Sequence, residues 1–169
     1  MTDTLLVTQN DVRVKVADYA VRQGEVVLST IGLGSCVAIA LYDRESRVGG
    51  LAHILLPSLS MSREVTNPAK FPQTIVPLML DEMRELGAAP TARIWAKIVG
   101  GASMFGQLGT GSGINVGERN IAATRHVLAD AGIPLLAEDT GLDYGRSVFF
   151  HLDDGRVDVR SLKKGDRVI

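Results

Sequence analysis

What this chain has little of narrows its chemistry. One cysteine, Cys36, excludes an internal disulfide, and three scattered histidines fall short of a structural metal site. Redox cycling would find no resolving thiol within the chain. Basic and acidic residues nearly cancel, 18 against 19, which leaves neither a nucleic-acid footprint nor an acidic tail. Apolar runs are broken by proline, glycine or charge well before the ~18 residues that a membrane span requires. No opening segment joins positive charge to an apolar run, so the expectation is a cytoplasmic protein with no membrane insertion and no nucleic-acid partner. Phosphate-binding motifs are missing too. Gly32-Leu33-Gly34-Ser35-Cys36-Val37 lacks the last glycine of a dinucleotide fingerprint, and Gly100-Gly101 lacks the lysine that closes a P-loop.

With 169 residues, 46% of them hydrophobic, the chain can bury one core without staples. Residues 1–11 are polar and read as a loose tail; residues 12–169 read as a single domain. Strand-like alternation marks residues 12–16, 26–31, 37–41, 48–56, 92–99, 133–137, 148–152 and 157–162. The last two close a hairpin around Asp153-Asp154-Gly155-Arg156. Helical spacing places Ile75, Leu78, Met79, Met83 and Leu86 on one face of a helix starting at Thr74 and ending before Gly87, with Pro77 tolerable only in its first turn. A second helix opens at Asn115, with Glu118 three residues on, and stops at Gly132. Residues 58–70 and 138–146 read as polar loops, and 106–113 as a glycine-rich one. About eight strands against two helices predict an α+β fold: a mixed α/β layered sandwich of mixed and antiparallel strands, with the helices packed outside.

The stretch from Thr30 to Pro57 concentrates the chemistry. Cys36 sits where the Gly32-Leu33-Gly34-Ser35 bend feeds a strand, and a reversal at Asp43-Arg44-Glu45-Ser46 returns the chain through His53. A four-residue loop centred between Arg44 and Glu45 would set Cys36 directly opposite His53, near enough for a thiolate–imidazolium pair. The same register would bury Val37, Ile39, Leu41, Val48, Ile54 and Leu56 on the other face. A thiolate flanked by an imidazole is a nucleophile with its base, backbone N–H groups of the Gly34-Ser35-Cys36 bend can hold an oxyanion, and Thr30 can orient the imidazole. His126 and His151 read as ordinary surface or packed histidines. Gly34, Ser35, Gly101, Ser103 and Asn120 are candidate substrate contacts, and equally readable as packing turns.

Taken together, Gly32-Leu33-Gly34-Ser35-Cys36-Val37, His53 with Leu56-Pro57, Lys97 with Gly100-Gly101-Ala102 and Met104-Phe105, Gly117 with Arg119-Asn120, and Gly145-Arg146 with Val148 and Phe150 resemble the chemoreceptor glutamine deamidase (CheD) family. The resemblance spans about residues 12–162. It departs at Phe71-Pro72-Gln73 and at Gly141-Leu142, both outside the catalytic set. What it implies is a sandwich enzyme that hydrolyses glutamine side chains on chemoreceptor cytoplasmic domains to glutamate. Its Cys-His-Thr set would fall on Cys36, His53 and Thr30, with no cofactor and with a CheC-type chemotaxis phosphatase as a second partner. A non-catalytic adaptor that docks on receptors or on that phosphatase is the alternative.

Overall fold

The computed structural model describes residues 10–89, 93–104 and 115–169. The predicted glycine-rich loop 106–113, Phe105, and most of the predicted tail lie outside the described residues. β1 (Asp11–Arg13) begins one residue inside the stretch read as tail.

Ten described strands form two five-stranded sheets. The outer sheet has the order β1-β3-β8-β9-β10, where β3 is Val27–Leu33, β8 Arg146–His151, β9 Val157–Arg160 and β10 Arg167–Val168. The central sheet has the order β2-β5-β4-β6-β7, built from β2 (Asp18–Gln23), β4 (Val37–Asp43), β5 (Val48–Ile54), β6 (Ile94–Gly100) and β7 (Leu135–Thr140). β1 runs parallel to β3 and β7 parallel to β6; the other pairings are antiparallel. Two helices, α1 (Pro72–Glu85) and α2 (Val116–Asp130), pack on the central sheet only. The result is helices, central sheet and outer sheet in three layers, the expected α+β sandwich.

Both faces of the central sheet are buried, and the sequence alternation separates two cores. Val37, Ile39, Leu41, Val48 and Ile54 meet the helices through Ile75, Met79, Met83 and Leu128. Ala38, Ala40, Tyr42 and Leu51 meet the outer sheet through Leu28, Val148, Phe150 and Leu152. Tyr42 anchors this second layer. Its ring meets Trp95 and Phe150 edge-on at 5.2 and 5.8 Å, and its hydroxyl donates to the Leu152 carbonyl at 2.6 Å. Gly49 and Gly50 thin β5 where the layers press closest: a Cβ on Gly49 would lie 2.5 Å from Leu152, and one on Gly50 3.1 Å from the Met79 sulfur.

Several expectations are corrected. The reversal after β4 is centred one residue later than predicted: Asp43 pairs with Val48 and Ala38 with His53. Asp43 sets this turn, accepting from the Glu45 N–H and the Ser46 hydroxyl, while Arg47 takes a positive φ of 54°. Helix α1 starts at Pro72, so Pro77 lies beyond the first turn and the Gln73 carbonyl loses its intrahelical donor. The polar run Glu138-Asp139-Thr140, read as loop, continues β7 because each carboxylate has a cation: Arg125 for Glu138 and Arg146 for Asp139. Strands β2 and β10 were not foreseen; β2 lacks a sustained apolar alternation, and β10 is two residues long.

Candidate active site

The shifted register moves the pair by two residues, and because side chains alternate with period two, it leaves the face unchanged. His53 on β5 stands opposite Ala38, and Cys36, just ahead of β4, is its diagonal neighbour on the same face. Diagonal positions are roughly 7–8 Å apart, within reach of an imidazole. Both side chains enter the layer between the sheets.

Thr30 comes from the opposite sheet. Leu28 and Thr30 alternate inward on β3, and the Thr30 oxygen meets His53 Nδ1 at 2.6 Å across the layer. Its single hydroxyl proton is already committed to the Val14 carbonyl at 2.7 Å. The proton in the contact with the ring is therefore carried by Nδ1, which fixes the tautomer. Nε2 is left as a bare lone pair, buried and without a hydrogen-bond partner among the described residues. A ring held this way can accept a proton at one atom only.

Electrostatics weigh against the expected ion pair. Burial pushes the Cys36 thiol above its usual range, with its own backbone N–H working in the opposite direction, and burial pulls His53 down to about 4. Both shifts favour a neutral thiol beside a neutral imidazole, and no hydrogen bond joins the two. Thr30 and His53 are fully buried and Cys36 is 9% exposed, so of the three only Cys36 touches solvent.

The bend holding Cys36 is fixed from behind. Gly34, Ser35 and Cys36 offer their carbonyls in turn to the Ala102 N–H at 2.8 Å, Asn120 Nδ2 at 2.8 Å and the Gly101 N–H at 2.8 Å. Asn120 also donates to the Leu55 carbonyl at 3.2 Å. Helix α2 lies close enough to do this because Gly117 packs on the Gly101 and Ala102 carbonyls, where a Cβ would sit 2.5 Å away. As expected, the helix opens on Asn115, whose side chain accepts from the Glu118 N–H.

Of the candidate substrate contacts, Gly34, Ser35 and Ser103 are partly exposed around the bend, whereas Gly101 and Asn120 are buried behind it. His126 is exposed beside Asp130, and His151 bonds Asp158 far down β8, so neither joins the site. Sequence reasoning missed one buried pair at this end of the sandwich. Arg146 donates from Nε to Asp139 at 2.9 Å and stacks 4.1 Å from the Tyr144 ring centroid. Its signal was the alternation of Arg146, Val148 and Phe150, which puts the arginine on the buried face.

Comparison with known proteins bears directly on this geometry. The family model described as CheD chemotactic sensory transduction matches residues 55–161. A probable chemoreceptor glutamine deamidase CheD from Desulforamulus reducens is 42% identical over 94% of this chain and 95% of its own length. The probable CheD 2 of Geobacter metallireducens is 48% identical, covering 90% of this chain and 94% of itself. That of Pyrococcus abyssi is 43% identical over 92% and 94%. The chain belongs to the CheD family. The family match begins just past His53, while the alignments with these CheD relatives extend over nine-tenths of the chain or more. No described helix of this CheD protein is long and apolar enough to cross a membrane.

Proposed function

We propose that this protein hydrolyses glutamine side chains on the cytoplasmic domains of chemoreceptors to glutamate and ammonia, working in the cytoplasm through a thioester on Cys36. The names of its relatives support the substrate. The chemistry is supported above all by the proton inventory at His53: Nδ1–H is spent on Thr30, and Nε2 is a buried, unpartnered base on the face it shares with the only thiol.

Substrate entry brings the Cys36 thiol to Nε2, which takes its proton as sulfur attacks the amide carbon. The carbonyl π pair moves onto oxygen, where the Cys36 backbone N–H can receive it. Collapse of the tetrahedral species expels the amide nitrogen, which leaves as ammonia with the proton from Nε2. Water, deprotonated by the same nitrogen, then attacks the thioester and expels the thiolate. Gly34, Ser35 and Ser103 flank the entering side chain. Met104, exposed and placed 3.6 Å from where a Gly34 Cβ would lie, offers an apolar contact that fits a protein substrate. A CheC-type phosphatase would use the same rim.

The test is incubation with a receptor cytoplasmic fragment, reading ammonia release and mapping amide-to-acid changes by mass spectrometry. Turnover by wild type and none by Cys36→Ala is expected. Equal turnover by the two would overturn the mechanism, and binding without turnover by fresh reduced wild type would favour the adaptor.

A further inference from the structure

We propose that Asn120 is a positioning residue that aims the Cys36 backbone N–H at the oxyanion formed during attack. The inference rests on the deamidase reading above and adds a residue to it.

The reasoning starts from peptide geometry. All described peptide bonds are trans, so in each the C=O and N–H point in opposite directions. The peptide joining Ser35 to Cys36 has its carbonyl drawn backwards onto Asn120 Nδ2 at 2.8 Å. Its N–H, which belongs to Cys36, must then face forwards, and it does lie on the sulfur side. The two flanking carbonyls, of Gly34 and Cys36, are held by backbone N–H groups of residues 101 and 102 that no side-chain substitution removes. Among the described residues, Asn120 is the one side-chain hold on this bend.

The second Nδ2 proton goes to Leu55, two residues past His53. One amide group thus ties the strand carrying the base to the peptide carrying the nucleophile. Asn120 is fully buried, and both its donor protons are spent on the protein. It acts through the bend and does not reach the substrate, which replaces its reading as a substrate contact.

Two reactions of the same sulfur separate this role from a general effect on folding. Alkylation by iodoacetamide forms an S–C bond and expels iodide, with no oxyanion. Addition to butanal, whose chain resembles the end of a glutamine, forms an S–C bond while the carbonyl π pair goes to oxygen and takes up a proton. Both draw on the N–H through the thiolate, which it favours, but only the second also needs it at the oxygen. Cys36 is the sole thiol, so alkylation, and its blockade by butanal, report on it alone.

In Asn120→Ala, butanal should protect Cys36 only at severalfold higher concentration, as for loss of one hydrogen bond to a neutral oxygen. The alkylation rate should stay within about twofold of wild type, and kcat should fall by about 10²-fold with KM little changed, in the range for an oxyanion donor. Asn120→Ser serves where the alanine variant does not fold. Unchanged butanal protection would overturn the proposal, as would alkylation and protection weakening in parallel. Wild type that binds butanal yet releases no ammonia from receptor fragments would instead sink the deamidase reading and leave this role standing.

Discussion

The two faces of the central sheet are made by the same strands and do different work. On the helix side, β4 and β5 contribute Val37, Ile39, Leu41, Val48 and Ile54 to a cluster that is aliphatic and methionine throughout. On the other side, the same strands contribute small residues, Ala38, Ala40 and Gly49, and then His53. The difference lies in what faces them. Helices bring apolar side chains whose backbone groups are already paired, whereas a second sheet can deliver a hydroxyl at a chosen height. Thr30 does so, and a buried imidazole is tolerable only with such a partner.

The largest effect that tests this contrast is on the polar face. Replacing His53 with alanine should lower turnover by about 10²–10⁴-fold, the usual contribution of a positioned general base, in an ammonia-release assay. The fold should survive, because the helix-side core is untouched. Next comes the apolar face, in reverse. Met79→Ala leaves a cavity against Gly50 and should cost about 2–5 kcal/mol in denaturant unfolding, while the alkylation rate of Cys36 at low temperature stays near that of wild type. Loss of thiol reactivity in step with stability would show that the faces are not independent.

How far each face could be read beforehand follows the same division. The alternation from Val37 to Leu41 assigned both faces correctly, because the period of two survives an error of two residues in register. The error itself came from the turn, where the Asp43 carboxylate, held by the Glu45 N–H and the Ser46 hydroxyl, decides the centre, a choice invisible to hydrophobic pattern. Thr30 was legible as a partner for His53. That its proton goes to Val14, a residue on the connection between β1 and β2, was not, since the contact ties β3 to an irregular segment 16 residues away in the chain. The bias against an ion pair was hidden for a related reason: sequence spacing says nothing about burial on both sides, and burial favours the neutral forms.

Burial also gives the polar face a pH signature that the apolar face lacks. His53 is pulled down to about 4, against 6.5 when unfolded. Between these values the unfolded chain binds more protons than the folded one, so stability is complete above about 6.5 and declines as pH falls towards 4. The loss should reach roughly 3 kcal/mol at the lower end. Denaturant unfolding of wild type and His53→Asn from pH 7 to 4.5 should show a shallower slope in the variant. Parallel slopes would mean that the imidazole is charged or solvated in the folded protein.

The smallest change on this face is one hydroxyl. Thr30→Val keeps shape and burial but leaves two groups unmet, the Val14 carbonyl and the His53 Nδ1–H. An unmet buried polar group costs about 1–3 kcal/mol, so with two of them stability should fall by about 2–6 kcal/mol. With Nδ1 no longer held, the imidazole proton is free to move to Nε2, where it would face the thiol and block proton uptake. Turnover should then drop by roughly tenfold, the equivalent of about 1.4 kcal/mol. Thr30→Ser, which restores the oxygen, should recover most of it. Equal loss in valine and serine variants would mean that the threonine methyl group packs the site and that its hydroxyl does not choose the tautomer.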